Sequence, residues 1–152
     1  MGVWLGPRGA RELVIDLASF TAKAYAWNNS YGEEAHALAP TINGQTVSIS
    51  KAQYAVDQAG IAVSEQLDLT DYSKITVDFS ALSGNGHVAV YVSTSGTDFV
   101  KTRDTNQYDF FGSSVELDVS RYGVCYFGIA LEVTNDGPAT KSITISSIKA
   151  TK

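Results

Sequence analysis

The chain reads as an all-β protein, an antiparallel β-sandwich of the jelly-roll kind with about eight strands. Three observations predict this. From Gln45 onward, apolar residues recur with a period of two, the repeat of a strand half-buried against a core. The phrase Leu67-Asp68-Leu69-Thr70-Asp71-Tyr72 returns fifty residues later as Leu117-Asp118-Val119-Ser120-Arg121-Tyr122, and each copy runs into a long alternating segment. Turn clusters such as Ser83-Gly84-Asn85-Gly86 and Asn135-Asp136-Gly137-Pro138 punctuate the series. Strands with one polar face do not suit a buried parallel sheet, whose strands are continuously apolar and separated by helices. They suit two antiparallel sheets packed about 10 Å apart. An immunoglobulin-type sandwich fits the alternation nearly as well. The irregular stretch before Val47, and a last strand able to lie beside the first, favour the jelly roll.

In chain order, residues 1–12 form a lead-in punctuated by Gly2, Gly6, Pro7 and Gly9, and residues 13–152 form one sandwich domain. Leu13-Val14-Ile15-Asp16-Leu17 is the first strand. Ala18–Ala26 fits a helical turn, a loop or a strand, Asn28-Asn29-Ser30-Tyr31-Gly32 is a turn, and Glu33–Pro40 has room for a short helix. Val47 and Ile49 alternate with Ser48 and Ser50. Ile61, Val63, Leu67 and Leu69 share a parity that Glu65 interrupts, which marks an edge or a bulge. Ile75, Val77 and Phe79 face inward, and after a glycine turn so do Val88, Val90 and Val92. A weaker strand spans Phe99–Thr102, and Arg103–Phe111 reads as a loop. Val115, Leu117 and Val119 precede the long strand through Cys125, Phe127, Ile129, Leu131 and Val133. Lys141–Ala150 closes the domain, with a bulge near Ser146-Ser147 because Ile148 breaks the parity of Ile143 and Ile145.

Composition narrows the function classes. A 152-residue chain that is 44% hydrophobic is long enough for one substantial core. It contains no apolar run near the ~20 residues of a spanning helix, so a membrane partner is not expected. Its start has neither a basic region nor a cleavage motif of a signal peptide, which points to folding in the cytoplasm. Net charge is −5 and the basic residues are scattered, so nucleic acid is an unsuitable partner. The single cysteine, Cys125, has core parity and reads as a buried thiol.

The phrase Leu67–Tyr72 running into Lys74–Leu82, and the isoleucine-alternating closing strand Ser142–Lys149, resemble the jelly-roll modules of the galactose-binding-like and carbohydrate-binding superfamily. Gly2-Val3-Trp4-Leu5-Gly6 through Arg11-Glu12-Leu13-Val14 is similar to a lead-in of minor structural and tail proteins of phages that infect Gram-positive bacteria. Together these resemblances imply a non-catalytic tail or baseplate-associated module of a virion or prophage-encoded particle. Its implied partners are a cell-surface glycan, neighbouring virion proteins and copies of itself, with a trimer as the assembly. No cofactor is implied. Calcium often braces such modules, but no compact Asp/Asn ladder places a metal here.

Catalytic chemistry is thinly supplied. His36 and His87 are the two histidines, and neither Gly-x-Ser-x-Gly nor His-Glu-x-x-His occurs. Asp68, Asp78, Asp118 and Glu132 are the carboxylates from which a glycosidase pair could be drawn, although solvation of the sheet exteriors accounts for them equally. Aromatic residues are the better lead. Tyr25, Trp27 and Tyr31 gather around Asn28 and Asn29, where rings can stack on a sugar and amides can bond its hydroxyls. Trp27 suits a plug at the end of the sandwich as well as a ligand contact. Tyr91 has outward parity, as a glycan platform or a subunit contact requires, and Arg103 and Tyr108 lie in a segment of mixed charged, amide and aromatic residues. A purely structural oligomerisation module and a glycan-degrading enzyme are the alternative functions.

Overall fold

The period-two segments form twelve strands among the residues that the computed structural model describes, namely 12–25, 37–52, 57–96, 103–108, 113–134 and 137–152, with the backbone alone at 103–108. They are β1 (Glu12–Val14), β2 (Thr21–Ala24), β3 (Thr41–Asn43), β4 (Thr46–Lys51), β5 (Gln58–Val63), β6 (Leu67–Asp68), β7 (Lys74–Ser83), β8 (Gly86–Ser93), β9 (Arg103–Tyr108), β10 (Ser114–Asp118), β11 (Val124–Val133) and β12 (Ala139–Thr151). Sheet I has the order β10-β7-β12-β4-β3, with β1 also paired to β12. Sheet II has the order β2-β5-β11-β8-β9, with β6 also paired to β11. All these pairings are antiparallel. The fold class is therefore the expected jelly-roll sandwich. The strand count exceeds eight because β2, β3 and β6 are two to four residues long, too short to display an alternation, and β9 is polar throughout its run.

The core lies between the sheets and is built from the residues whose parity predicted it. Val47 and Ile49, the alternate residues Ile75, Val77 and Phe79, Val88, Val90 and Val92, Cys125 through Val133 at every second position, and Ile143, Ile145 and Ile148 form one buried cluster. Each large side chain there contributes roughly 1.5–3 kcal/mol by leaving water. Cys125 is a buried free thiol. Phe20 packs edge-on against Phe127 at 6.3 Å. At the far ends of β4 and β12 two lysines take core-facing positions. Lys51 bonds Asp57 at 3.4 Å, and Lys141 donates to the Gly84 carbonyl at 3.2 Å.

The repeated phrase builds two equivalent corners. In each copy the aspartate bends the chain: Asp68 accepts from the amide and hydroxyl of Thr70, and Asp118 from those of Ser120. These hydrogen bonds hold both carboxyls below the usual aspartate range. Each corner then ties to the other. The Leu69 amide donates to the Gly123 carbonyl at 2.8 Å, and the Val119 amide to the Ser73 carbonyl at 2.9 Å. Tyr72 and Tyr122 close over the core beside them. The first corner carries the chain from sheet II into β7 of sheet I, and the second from sheet I into β11 of sheet II. β7 and β11 are both ten residues long and also fifty residues apart. The repeat is thus a pseudo-two-fold that exchanges the sheets.

The glycine turn after β7 likewise passes between sheets, so it is a corner and not a hairpin. Gly84 and Gly86 have φ of 91° and 138°, and a side chain would drive into the carbonyls of Thr140 and Glu132 respectively. Three expectations are corrected. The first strand stops at Val14, and Asp16 caps a short 3₁₀ turn, Leu17–Ser19, accepting from the Ala18 amide at 2.9 Å. Ile61 and Val63 face away from the core that holds Leu67 and Leu69, because the chain breaks step at Ser64, whose hydroxyl accepts from the Phe127 amide. Residues 103–108 are strand β9, not a loop: their polar side chains hide the alternation, and pairing with β8 through the backbone makes the strand. The bulge near Ser146-Ser147 is present, as a register shift between Ile145 and Ser147.

Candidate functional site

A strand in a sandwich has a second side, and in sheet II that side is apolar and aromatic. Residues in register across antiparallel strands share a face. One row therefore reads Thr21, Val63, Gly128, Tyr91, Asn106, and the next reads Lys23, Ile61, Ala130, Ala89, Tyr108. A third brings Tyr126, Ser93 and Arg103 together across β11, β8 and β9. Tyr25, just past β2, lays its ring edge-on to Tyr91, with centroids 6.3 Å apart at 77°. Tyr25, Ala59, Ile61, Val63, Ala89, Tyr91 and Ala130 form a second buried cluster, separate from the core, with Tyr126 half-buried against it.

Of the seven residues singled out from sequence, Tyr25 and Tyr91 share one side of sheet II, and Arg103 and Tyr108 stand in backbone register with Ser93 and Ala89 of the same sheet. Trp27, Asn28 and Tyr31 lie outside the described residues, as do residues 1–11 of the lead-in, Trp4 among them. One expectation is corrected. Tyr91 does point away from the core, but it is 0% exposed and so is not a bare platform. Gly128 leaves its neighbouring position empty, and Tyr25 packs on the ring. Tyr91 and Tyr25 are thus buried together on this side of the sheet.

Sequence reasoning missed two members. Tyr126 had the signal that marked Tyr91, an aromatic of outward parity between two core residues. Lys23 had none. Its ammonium donates to the Gly96 carbonyl at 3.0 Å. Gly96 lies directly on the Tyr126 ring: a Cβ at this position would sit 2.9 Å from ring carbons.

The candidate carboxylates do not assemble. Asp78 is on the outer side of sheet I and accepts from the Ser147 hydroxyl at 3.0 Å, whereas Glu132 is on the outer side of sheet II. Asp68 and Asp118 are engaged in their own corners. His87 is exposed at the start of β8. Among the described residues, no group of three or more His, Cys, Asp or Glu is placed to hold a metal ion.

No protein-family model matches the sequence, and no curated protein matches it. Solved structures do match. A low-affinity xylan-binding module, CBM86, from the gut symbiont Roseburia intestinalis superposes with a TM-score of 0.54 over 91% of this chain and 93% of its own, at 12% identity. A second xylan-binding module, CBM15, gives 0.44 over 94% of this chain and 97% of its own, at 13% identity. The first likeness shows that the two chains share a fold.

Proposed function

We propose that the chain is a non-catalytic carbohydrate-binding module whose ligand lies on the outer side of sheet II. The observation that carries this reading is the collection of Tyr25, Tyr91 and Tyr126 on one side of one sheet, with the backbone of β9 in register beside β8. The outer side of sheet I has no aromatic residue among its described strand positions. Sugar rings bind through their apolar C–H faces against aromatic rings, with amides and charged groups reading the hydroxyls. Tyr25 and Tyr91 supply a preorganised base. Tyr126 and Tyr108, together with Trp27, Asn28 and Tyr31, are assigned to direct contact. The fold shared with a xylan-binding module supports xylan-like polymers as the first ligands to try.

The particle context rests on residues 2–14 alone. On that basis the module belongs to a virion or prophage-encoded appendage and meets a cell-surface glycan there.

Affinity electrophoresis and calorimetry against a polysaccharide panel test the binding reading. Wild type is expected to bind at least one polymer, and Trp27→Ala or Tyr126→Ala to weaken it about fivefold or more, the value of roughly 1 kcal/mol for one aromatic contact. Binding to no polymer would overturn it. Light scattering on the same sample separates the assembly alternative, which requires a defined oligomer and aromatics that respond to dilution and not to glycan.

A further inference from the structure

We infer that Lys23 is the anion-recognising residue of this face, and that the ligand carries a carboxylate, as the uronic-acid residues of an acidic polysaccharide do. The inference rests on the carbohydrate-binding reading and adds the chemical class of the sugar.

Position is the first ground. Lys23 occupies edge strand β2 in register with Ile61, a member of the outer cluster. Its Nζ is held at 3.0 Å from the Gly96 carbonyl, and Gly96 rests on the Tyr126 ring. The ammonium is thereby fixed at the end of the face where the half-buried tyrosine lies. Arg103 belongs to the same end, since β9 pairs it with Ser93, which pairs with Tyr126.

Charge is the second. Lys23 is half-buried, and its partner is a neutral carbonyl. The ion pairs among the described residues join Lys51 to Asp57, Lys74 to Glu116 and Lys149 to Glu12, and none includes Lys23. Supply is not the reason, because the chain has 16 acidic residues against 11 Lys and Arg. An ammonium has three donors, and the carbonyl takes one. A carboxylate satisfies the others and restores neutrality where water is partly excluded, a stronger contact than a sugar hydroxyl offers. A sugar stacked on Tyr126 and bearing its carboxylate toward Lys23 meets both groups at once. A net charge of −5 disfavours polyphosphates, so selectivity must come from this local pairing.

The test measures affinities of wild type, Lys23→Met and Lys23→Arg for two polymers of one backbone: a neutral xylan, and the same xylan substituted with glucuronic acid. Dextran sulfate serves as a plain polyanion, and thermal melts confirm that each variant is folded. Wild type should prefer the acidic polymer by about fivefold, with the preference shrinking at ~0.5 M salt. Lys23→Met should weaken binding of the acidic polymer more than that of the neutral one, so that the preference is lost, and Lys23→Arg should retain it. Equal affinity of wild type for both xylans, or a preference that survives Lys23→Met, would overturn the assignment while leaving the carbohydrate-binding reading intact. Dextran sulfate bound as tightly as the acidic xylan would overturn it too, by showing attraction to charge alone. Binding to neither xylan nor to any other glycan removes the parent reading and this one with it.

Discussion

At equivalent points of the two pseudo-two-fold-related sheets, the outer sides carry opposite chemistry. Gly128 on β11 and Asp78 on β7 are fifty residues apart and hold the same place in their strands. The neighbour of Gly128 is Tyr91, and the neighbour of Asp78 is Ser147. On sheet II the missing side chain leaves room for a ring, and an apolar cluster grows around it. On sheet I the carboxylate accepts the serine hydroxyl, and the surface continues as paired hydroxyls: Thr46 with Thr144 at 3.0 Å, Ser50 with Thr140 at 2.7 Å, and Ser83 with Ser142 at 2.8 Å. The inward sides, by contrast, are interchangeable hydrophobic surfaces, because both must fill one shared core. The shared scaffold is kept where packing demands it, and the two sheets diverge where it does not.

Measurements can break or sharpen this contrast. The largest effect is expected from Tyr91→Ala. If the outer side of sheet II is a packed layer, chemical denaturation should show a loss of roughly 3–5 kcal/mol, as for a core aromatic such as Phe79→Ala. A loss below about 1 kcal/mol would mean that the ring contributes as little as a surface residue. Next comes acid. Hydrogen bonds from Thr70 and Ser120 hold the Asp68 and Asp118 carboxyls below the usual aspartate range, so their stabilisation is present above the unfolded-state pKa and is lost as pH falls through the folded one. Melting temperature should therefore drop below about pH 4, and Asp68→Asn/Asp118→Asn should remove part of that slope; an unchanged acid limb in the double variant refutes the corner assignment. Ser147→Ala breaks the partly buried bond to Asp78 and should cost about 0.5–1.5 kcal/mol. Smallest of all, Ser142→Ala and Lys74→Met touch an exposed hydroxyl pair and an exposed ion pair, and each should stay within about 0.5 kcal/mol of wild type.

Much of this architecture was legible in the residues. Alternation at Ile75–Phe79 and Cys125–Val133 has a local cause, since successive strand side chains take opposite sides whatever else the chain does. The Asp-x-Thr and Asp-x-Ser corners are equally local: side chain and amide are two residues apart. Strand β9 was illegible because Arg103–Tyr108 owes its conformation to the backbone of β8, a partner that alternation within the segment cannot reveal. The facing of Ile61 and Val63 was misread for a related reason. Ser64 changes step by bonding the Phe127 amide, which is distant in sequence.

The candidate site divides in the same way. That Tyr91 points away from the core follows from its place between Val90 and Val92, and the aromatic character of the Tyr25–Tyr31 segment is plain in its composition. By itself the sequence determined most of the residues that line the core, Ile61 and Val63 excepted, where the chain turns, and that Tyr91 is spare. Tertiary structure decided that Tyr25 meets Tyr91, that β9 pairs with β8 at the edge of the same sheet, and that Lys23 reaches Gly96. Those contacts join residues far apart in the chain. They depend on strand order, which is set by the collective packing of two sheets around one core and not by any segment's own pattern.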